Sequence, residues 1–238
     1  ALANHPVPSE QGDQPLLCGA ARVEHLADEF LASPHVIALG GDEPRFTTAE
    51  ILGVQDRIMR RFSKGLHHGA SLANPDALAA AFETHPHLSE EQRALVTAWC
   101  TSGHRFQAAI GRAGAGKTTS VAAAVHAWEA SGYRVIGGAV KGEAARTLAA
   151  ATGIQCETVA WCLAHDDPRT SPLDARTVLV IDEASTLADR DLDQLMWLTA
   201  TTGATLRLIG DPAQHGSIAA GGMYRVICEH HALHTPEL

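Results

Sequence analysis

The chain has 238 residues, 45% of them hydrophobic and 19% charged, a composition that excludes a disordered or low-complexity protein and can supply a substantial core. Its 18 basic and 27 acidic residues leave a formal charge of -9, which opposes a domain wrapped broadly around nucleic acid but leaves room for a local basic groove. No apolar run approaches the roughly 18 to 20 residues of a membrane span, no basic-then-apolar leader opens the chain, and the five cysteines form no Cys-x-x-Cys pair, so the expectation is a soluble, cytoplasmic protein with reduced thiols.

In chain order, Pro6, Pro8, Gly12, Pro15 and Gly19 make the first twenty residues read as an irregular arm. Val23, Leu26, Ala27, Phe30 and Leu31 then recur at helical spacing, and an apolar run over 35–39 stops at Gly40-Gly41, predicting a helix followed by a strand. Thr47 with Glu50 reads as a capping box ahead of Ile51, Val54, Ile58 and Met59, and Asn74-Pro75 starts another helix by N-cap and N1 logic. Residues 1–85 are therefore expected to form an arm and a mainly helical accessory region, with the main domain over 86–238.

A second capping box, Ser89 with Gln92, opens a helix through Cys100, and beyond it strands alternate with helices. Strands are expected at 106–110, 133–137, 178–181 and 206–209, and helices at 118–130, 142–151, 157–164, 190–200 and 220–229, with Gly132, Gly153 and Gly203 as stop signals. That alternation predicts an α/β fold with a parallel sheet. The tryptophans all fall on predicted helices and read as core. The histidine pairs His67-His68, His85 with His87, and His230-His231 with His234 lack carboxylate or cysteine support and read as surface or capping residues.

The segment Gly111-Arg112-Ala113-Gly114-Ala115-Gly116-Lys117-Thr118 matches the phosphate-binding P-loop over its full length, placed after a predicted strand and at the start of a predicted helix. Its glycines let backbone N–H groups curl around phosphate oxygens, Lys117 reaches the β and γ phosphates, and Thr118 can ligate Mg²⁺, so ATP and Mg²⁺ are the expected cofactors. The apolar run Val178-Leu179-Val180-Ile181 ends in Asp182-Glu183, as a Walker B strand does. Asp182 is expected to hold Mg²⁺ and Glu183 to orient and deprotonate the attacking water. Gly210-Asp211-Pro212-Ala213-Gln214 ends the next strand, and Gln214 is placed to sense the γ-phosphate.

Together with Leu88-Ser89-Glu90-Glu91-Gln92, Gly138-Ala139-Val140-Lys141-Gly142-Glu143-Ala144-Ala145 and Asp182-Glu183-Ala184-Ser185, these motifs make residues 86–227 resemble the first motor lobe of RecD-like superfamily 1 DNA helicases. Within that branch the resemblance is to the helicase portion of MobF-type conjugative relaxase-helicases. It implies a RecA-like P-loop ATPase lobe whose nucleotide contacts include Gln92, reading the adenine edge, and extend through Thr119. It also implies single-stranded DNA contacts from the 138–145 segment, Lys141 included, and from Thr158, and a coupling role for His215 and its neighbours through Ser217. Each residue has a second reading: Gln92 as a capping-box member only, Lys141 as a solvated charge, Thr158 as a helix N-terminal residue. No second lobe and no relaxase signature of tyrosines and three histidines is recognised, so the chain reads as a fragment of a helicase or translocase. The alternative is a nucleotide-binding or partner-docking module without turnover.

Overall fold

The computed structural model describes residues 6–7, 16–17, 19–40, 45–214 and 220–238, which fall into two compact units, Ala1–Gly53 and Val54–Leu238. In the first, β1 (Pro6–Val7) pairs antiparallel with β2 (Leu16–Leu17), a two-rung ladder inside the arm expected to be irregular. Helix α1 (Ala20–Leu31) follows, as the apolar spacing requires, and β3 (Val36–Leu39) forms a hairpin with β4 (Arg45–Thr48). The expected capping box is shifted by one residue. Thr47 lies on β4, and it is Thr48 whose Oγ1 accepts from the Ile51 amide at 3.2 Å, opening α2 (Ala49–Lys64).

The larger unit begins inside α2, well before the boundary expected at residue 85. The cause is burial: Val54, Ile58 and Phe62 of α2 are almost fully enclosed in the main core. Helix α3 (Pro75–Thr84), capped by Asn74 as expected, places Ala81 in the other core beside α4 (Glu90–Thr101). Thereafter come β5 (Phe106–Ile110), α5 (Lys117–Ala130), β6 (Arg134–Ala139), α6 (Gly142–Thr152), β7 (Gln155–Thr158), α7 (Val159–Ala164), β8 (Thr177–Asp182), α8 (Asp189–Thr202), β9 (Thr205–Gly210) and α9 (Met223–His230). Gly153 and Gly203 end α6 and α8 in the left-handed region, at φ 75° and 84°, which L side chains adopt only with strain.

All five strands β5–β9 are parallel, in the order β5-β9-β8-β6-β7. Successive strand residues point to opposite faces and so feed two cores. Leu179, Ile181, Leu206 and Leu208 meet α2, α8 and α9 on one face, whereas Val178, Val180 and Ile209 meet α3, α4 and α5 on the other. Trp99 and Trp128 are fully buried and stack at 6.1 Å, as expected of core residues, but Trp197 is 39% exposed. Cys100, Cys156, Cys162 and Cys228 are free, and burial pushes the Cys100 and Cys228 thiols up to about 12. Cys18 lies outside the described residues.

Hydrogen bonds at both ends of β5 fix the sheet there. Tyr224 Oη lies 2.5 Å from the Ala109 carbonyl and 3.0 Å from that of Gly210, joining the ends of β5 and β9. The Ile110 amide donates to the Pro236 carbonyl at 2.9 Å, and the Leu238 amide donates to the Ile110 carbonyl at 2.8 Å, so residues 236–238 run beside the end of β5. At the other end, fully buried Arg207 donates to the His104 and Trp99 carbonyls and to Ser71 Oγ.

Candidate functional site

Ile110 ends β5, and the chain turns at once into the Gly-rich loop. The Gly111 amide donates to the Gly210 carbonyl at 2.8 Å, anchoring the loop to β9. A Cβ on Gly111 would come within 2.5 Å of Lys117 Cγ, so only glycine leaves the lysine stem its path. Gly114 and Gly116 sit at φ 77° and 78°, curling the backbone into the N-terminus of α5. Helix α5 carries no side-chain cap, a trait it shares with α1, α6, α8 and α9, so no side chain occupies its first amides where the Gly-rich loop enters it. A cradle of this form, with a lysine at its mouth, fits a polyphosphate.

The cavity over this loop has a volume of about 550 Å³, and Arg112, Lys117, Thr118, Lys141, Asp182 and Glu183 all border it. Lys117 Nζ donates to the Gly111 carbonyl at 3.2 Å and lies 3.6 Å from Glu183 Oε1. Asp182 closes β8, and its Oδ1 accepts the Glu183 amide at 2.8 Å. Burial raises the Asp182 carboxyl above the ordinary carboxylate range, reinforced by the charge of Glu183 and opposed by the Glu183 amide and by Lys117. A bound divalent cation would relieve that cost, and Thr118 with Asp182 could hold one. Glu183 itself sits in the left-handed region at φ 53°, a conformation uncommon outside glycine and found where a side chain must be aimed.

The other expected site residues are distributed less simply. Gln92 completes its capping box, with Oε1 accepting from the Ser89 amide, and its Nε2 donates to the Ala115 carbonyl at 3.1 Å, so it braces the Gly-rich loop. A Cβ on Gly116 would overlap that amide. Ala113 and Thr119 are exposed on the loop and first turn. Gln214 does not border the main cavity: it lines a neighbouring one of about 170 Å³ with Ser185 and Arg225, and its Nε2 donates to Asp211 Oδ2. Lys141, exposed at the start of α6, lies on the rim of the main cavity, while Thr158 Oγ1 accepts from the Trp161 amide and caps α7. His215 lies outside the described residues.

The sequence reading singled out Glu143 and Ala144 only as part of a DNA-contacting segment, whereas they border this cavity; it missed Thr147 beside them and the Arg112–Glu237 ion pair at 2.9 Å that ties the loop to the chain's last residues. The available signal for α6 was that its first two turns follow a strand of the same sheet, at the same edge as the Gly-rich loop.

A Gly-rich loop after β5, a carboxylate pair after β8 and one strand between them define a RecA-like P-loop nucleotide-binding lobe. Residues 87–238 match a family model described as an AAA domain, and the chain belongs to that family. A P-loop domain of this kind implies nucleotide binding with a divalent metal. The chain is 38% identical over 189 residues to a "Probable conjugal transfer protein TraA" of Sinorhizobium fredii, covering 78% of this chain and 17% of that protein. It is 36% identical over 221 residues to a "Conjugal transfer protein TraA" of Agrobacterium fabrum, covering 87% of this chain and 20% of that one. A Rhizobium radiobacter protein of the same description is 36% identical over 186 residues. The chain thus spans about a fifth of the length of these relatives, and the matches agree with the resemblance to a RecD-like, MobF-type motor lobe. Among the described residues no helix is long and apolar enough to cross a membrane.

Proposed function

We propose that the chain is the ATP-binding motor lobe of an ATP-dependent single-stranded DNA translocase or helicase, acting in the cytoplasm as part of a conjugative relaxase-helicase. The observation that carries this reading is the convergence of Lys117, Thr118, Asp182 and Glu183 on one cavity over an uncapped helix N-terminus. The similarity to conjugal transfer proteins supports the DNA half of it.

In this reading the loop amides and Lys117 hold the β and γ phosphates, Thr118 and Asp182 hold Mg²⁺, and Gln92 keeps the loop in shape as well as lying beside the adenine. Mg²⁺, when bound, neutralises phosphate charge. Glu183 leaves Lys117 as phosphate arrives, and its freed carboxylate orients a water and takes its proton. Gln214 senses the γ-phosphate only after turning away from Asp211. Lys141, Thr158 and His215 contribute to the DNA track, and a second RecA-like lobe elsewhere in the parent polypeptide closes the cleft.

Calorimetric titration with ATP and Mg²⁺ tests the nucleotide half. Lys117→Ala is expected to weaken binding ten- to a hundredfold, roughly 1.4 to 2.8 kcal/mol, because it removes the cation aimed at the phosphates. Equal affinity in that variant rejects the assignment. In the full-length protein, absence of DNA-stimulated hydrolysis favours the alternative of a binding module without turnover.

A further inference from the structure

Away from the nucleotide cavity, three histidines from distant parts of the chain meet at the opposite end of β5. His67 lies in the turn after α2, His104 in the loop entering β5, and His234 in the short helical turn after α9. Each pair of rings packs edge to face, with centroids 4.7, 5.0 and 5.6 Å apart, and one nitrogen from each ring lies within 4.8 Å of the other two. The rings border an open cavity of about 320 Å³ whose other lining groups, including Ser102 and Gln107, carry no charge.

The surroundings fix the backbone that carries these rings. Arg207 Nη1 donates to the His104 carbonyl at 3.0 Å, and Gln107 Nε2 donates to the His234 carbonyl at 3.1 Å, while Gln107 Oε1 accepts from Ser102 Oγ. His67 is held at φ 53°, a strained backbone for a residue other than glycine.

We propose that His67, His104 and His234 form a transition-metal site of the zinc class, with three imidazole ligands and a water in the fourth position, which clips the turn after α2 and the C-terminal segment to the root of β5. Imidazole nitrogens favour zinc-class ions over magnesium or calcium, and three protein ligands with an open fourth position are a common zinc arrangement. Tetrahedral coordination at about 2.0 to 2.1 Å requires the ligand nitrogens to close to roughly 3.3 Å from one another. Rotation of His67 and His234, the two rings not fully buried, supplies that closure. The Nδ1 of His104 now accepts from the His67 amide at 2.9 Å, and coordination through either ring nitrogen ends that bond, since a neutral imidazole has one lone pair. The His67 amide is therefore a reporter of the ion.

The test uses the full chain, stripped with a chelator and free of nucleotide. Calorimetry with Zn²⁺ and visible absorption with Co²⁺ are expected to show one bound ion with the intense bands of a tetrahedral centre, and a shift of the His67 amide resonance. His67→Gln and His234→Gln should each weaken Zn²⁺ binding by more than about tenfold, whereas His126→Gln, outside the cluster, should leave it unchanged. Both cluster positions are at least partly exposed, so circular dichroism should show the variants folded, and the double variant should lose the rise in melting temperature that Zn²⁺ gives the parent chain. A folded double variant that binds Zn²⁺ as the parent does, or a parent chain with no Zn²⁺ binding, overturns the site.

Discussion

Asp182 and Glu183 are neighbours in sequence with different surroundings, and their substitutions should separate. Asp182 is largely buried at the end of β8 and accepts a backbone amide, while Glu183 is a third exposed and faces Lys117. Asp182→Ala is expected to weaken Mg²⁺-dependent nucleotide binding, and Glu183→Gln to leave binding intact while removing the turnover of the full-length protein, because the amide keeps the shape and loses the base. Paired calorimetric and single-turnover measurements check this, and equal loss of binding in both variants makes Glu183 structural. The positions of both carboxylates, at the end of β8 and beside the Gly-rich loop, were legible from residue type and order alone. The histidine cluster was not, because His67, His104 and His234 are brought together only by the packing of α2, β5 and the segment after α9, and sequence pairs such as His67-His68 point elsewhere.

Among the elements, the buried strands were the most readable. Runs such as Val178-Leu179-Val180-Ile181 are apolar at every position because both faces are covered, and the observed strand extends the expected one by a residue at each end. Strand β7 escaped because Gln155, Cys156, Glu157 and Thr158 lie at the sheet edge and keep polar side chains, so the expected helix at 157–164 began two residues too early. Nor does any local pattern announce that Tyr224 of α9 reaches across to the ends of β5 and β9. Burial pushes its phenol well above the ordinary range, so it stays a donor at any working pH. Tyr224→Phe leaves the enclosed carbonyls of Ala109 and Gly210 without that partner and is expected to cost about 1 to 3 kcal/mol, read as a lower midpoint in urea with unchanged slope.

For the whole molecule, the division at Val54 predicts which truncations fold. A chain over 86–238, which nearly coincides with the match to the AAA domain, lacks Val54, Ile58 and Phe62 and uncovers the face of the sheet they enclose. At about 1.5 to 3 kcal/mol for each buried side chain, the loss is comparable to the entire stability of an ordinary domain, so this truncation should be unfolded or aggregated. A chain over 49–238, which keeps α2, should melt cooperatively, and thermal circular dichroism of the two distinguishes these outcomes. A second expectation follows from the proposed two-lobed motor. An arginine supplied across the site is worth about 10³ to 10⁵ in rate, so residues 1–238 alone should bind nucleotide yet hydrolyse it near background. Strong DNA-stimulated hydrolysis by this chain, measured across a titration of single-stranded DNA, contradicts it.

The pairing of residues 236–238 with Ile110 also has a mechanical meaning. Both backbone groups of Ile110 are engaged by that segment, Glu237 grips Arg112, and Ile110 is followed directly by Gly111. Tension along the chain at Leu238 therefore loads a short parallel seam in shear at the root of the Gly-rich loop, where Leu238 and Ile110 also pack against the two cores. If the Gly-rich loop holds phosphate as proposed, force along that segment and phosphate binding would act on the same few peptide units, so each would be expected to alter the other.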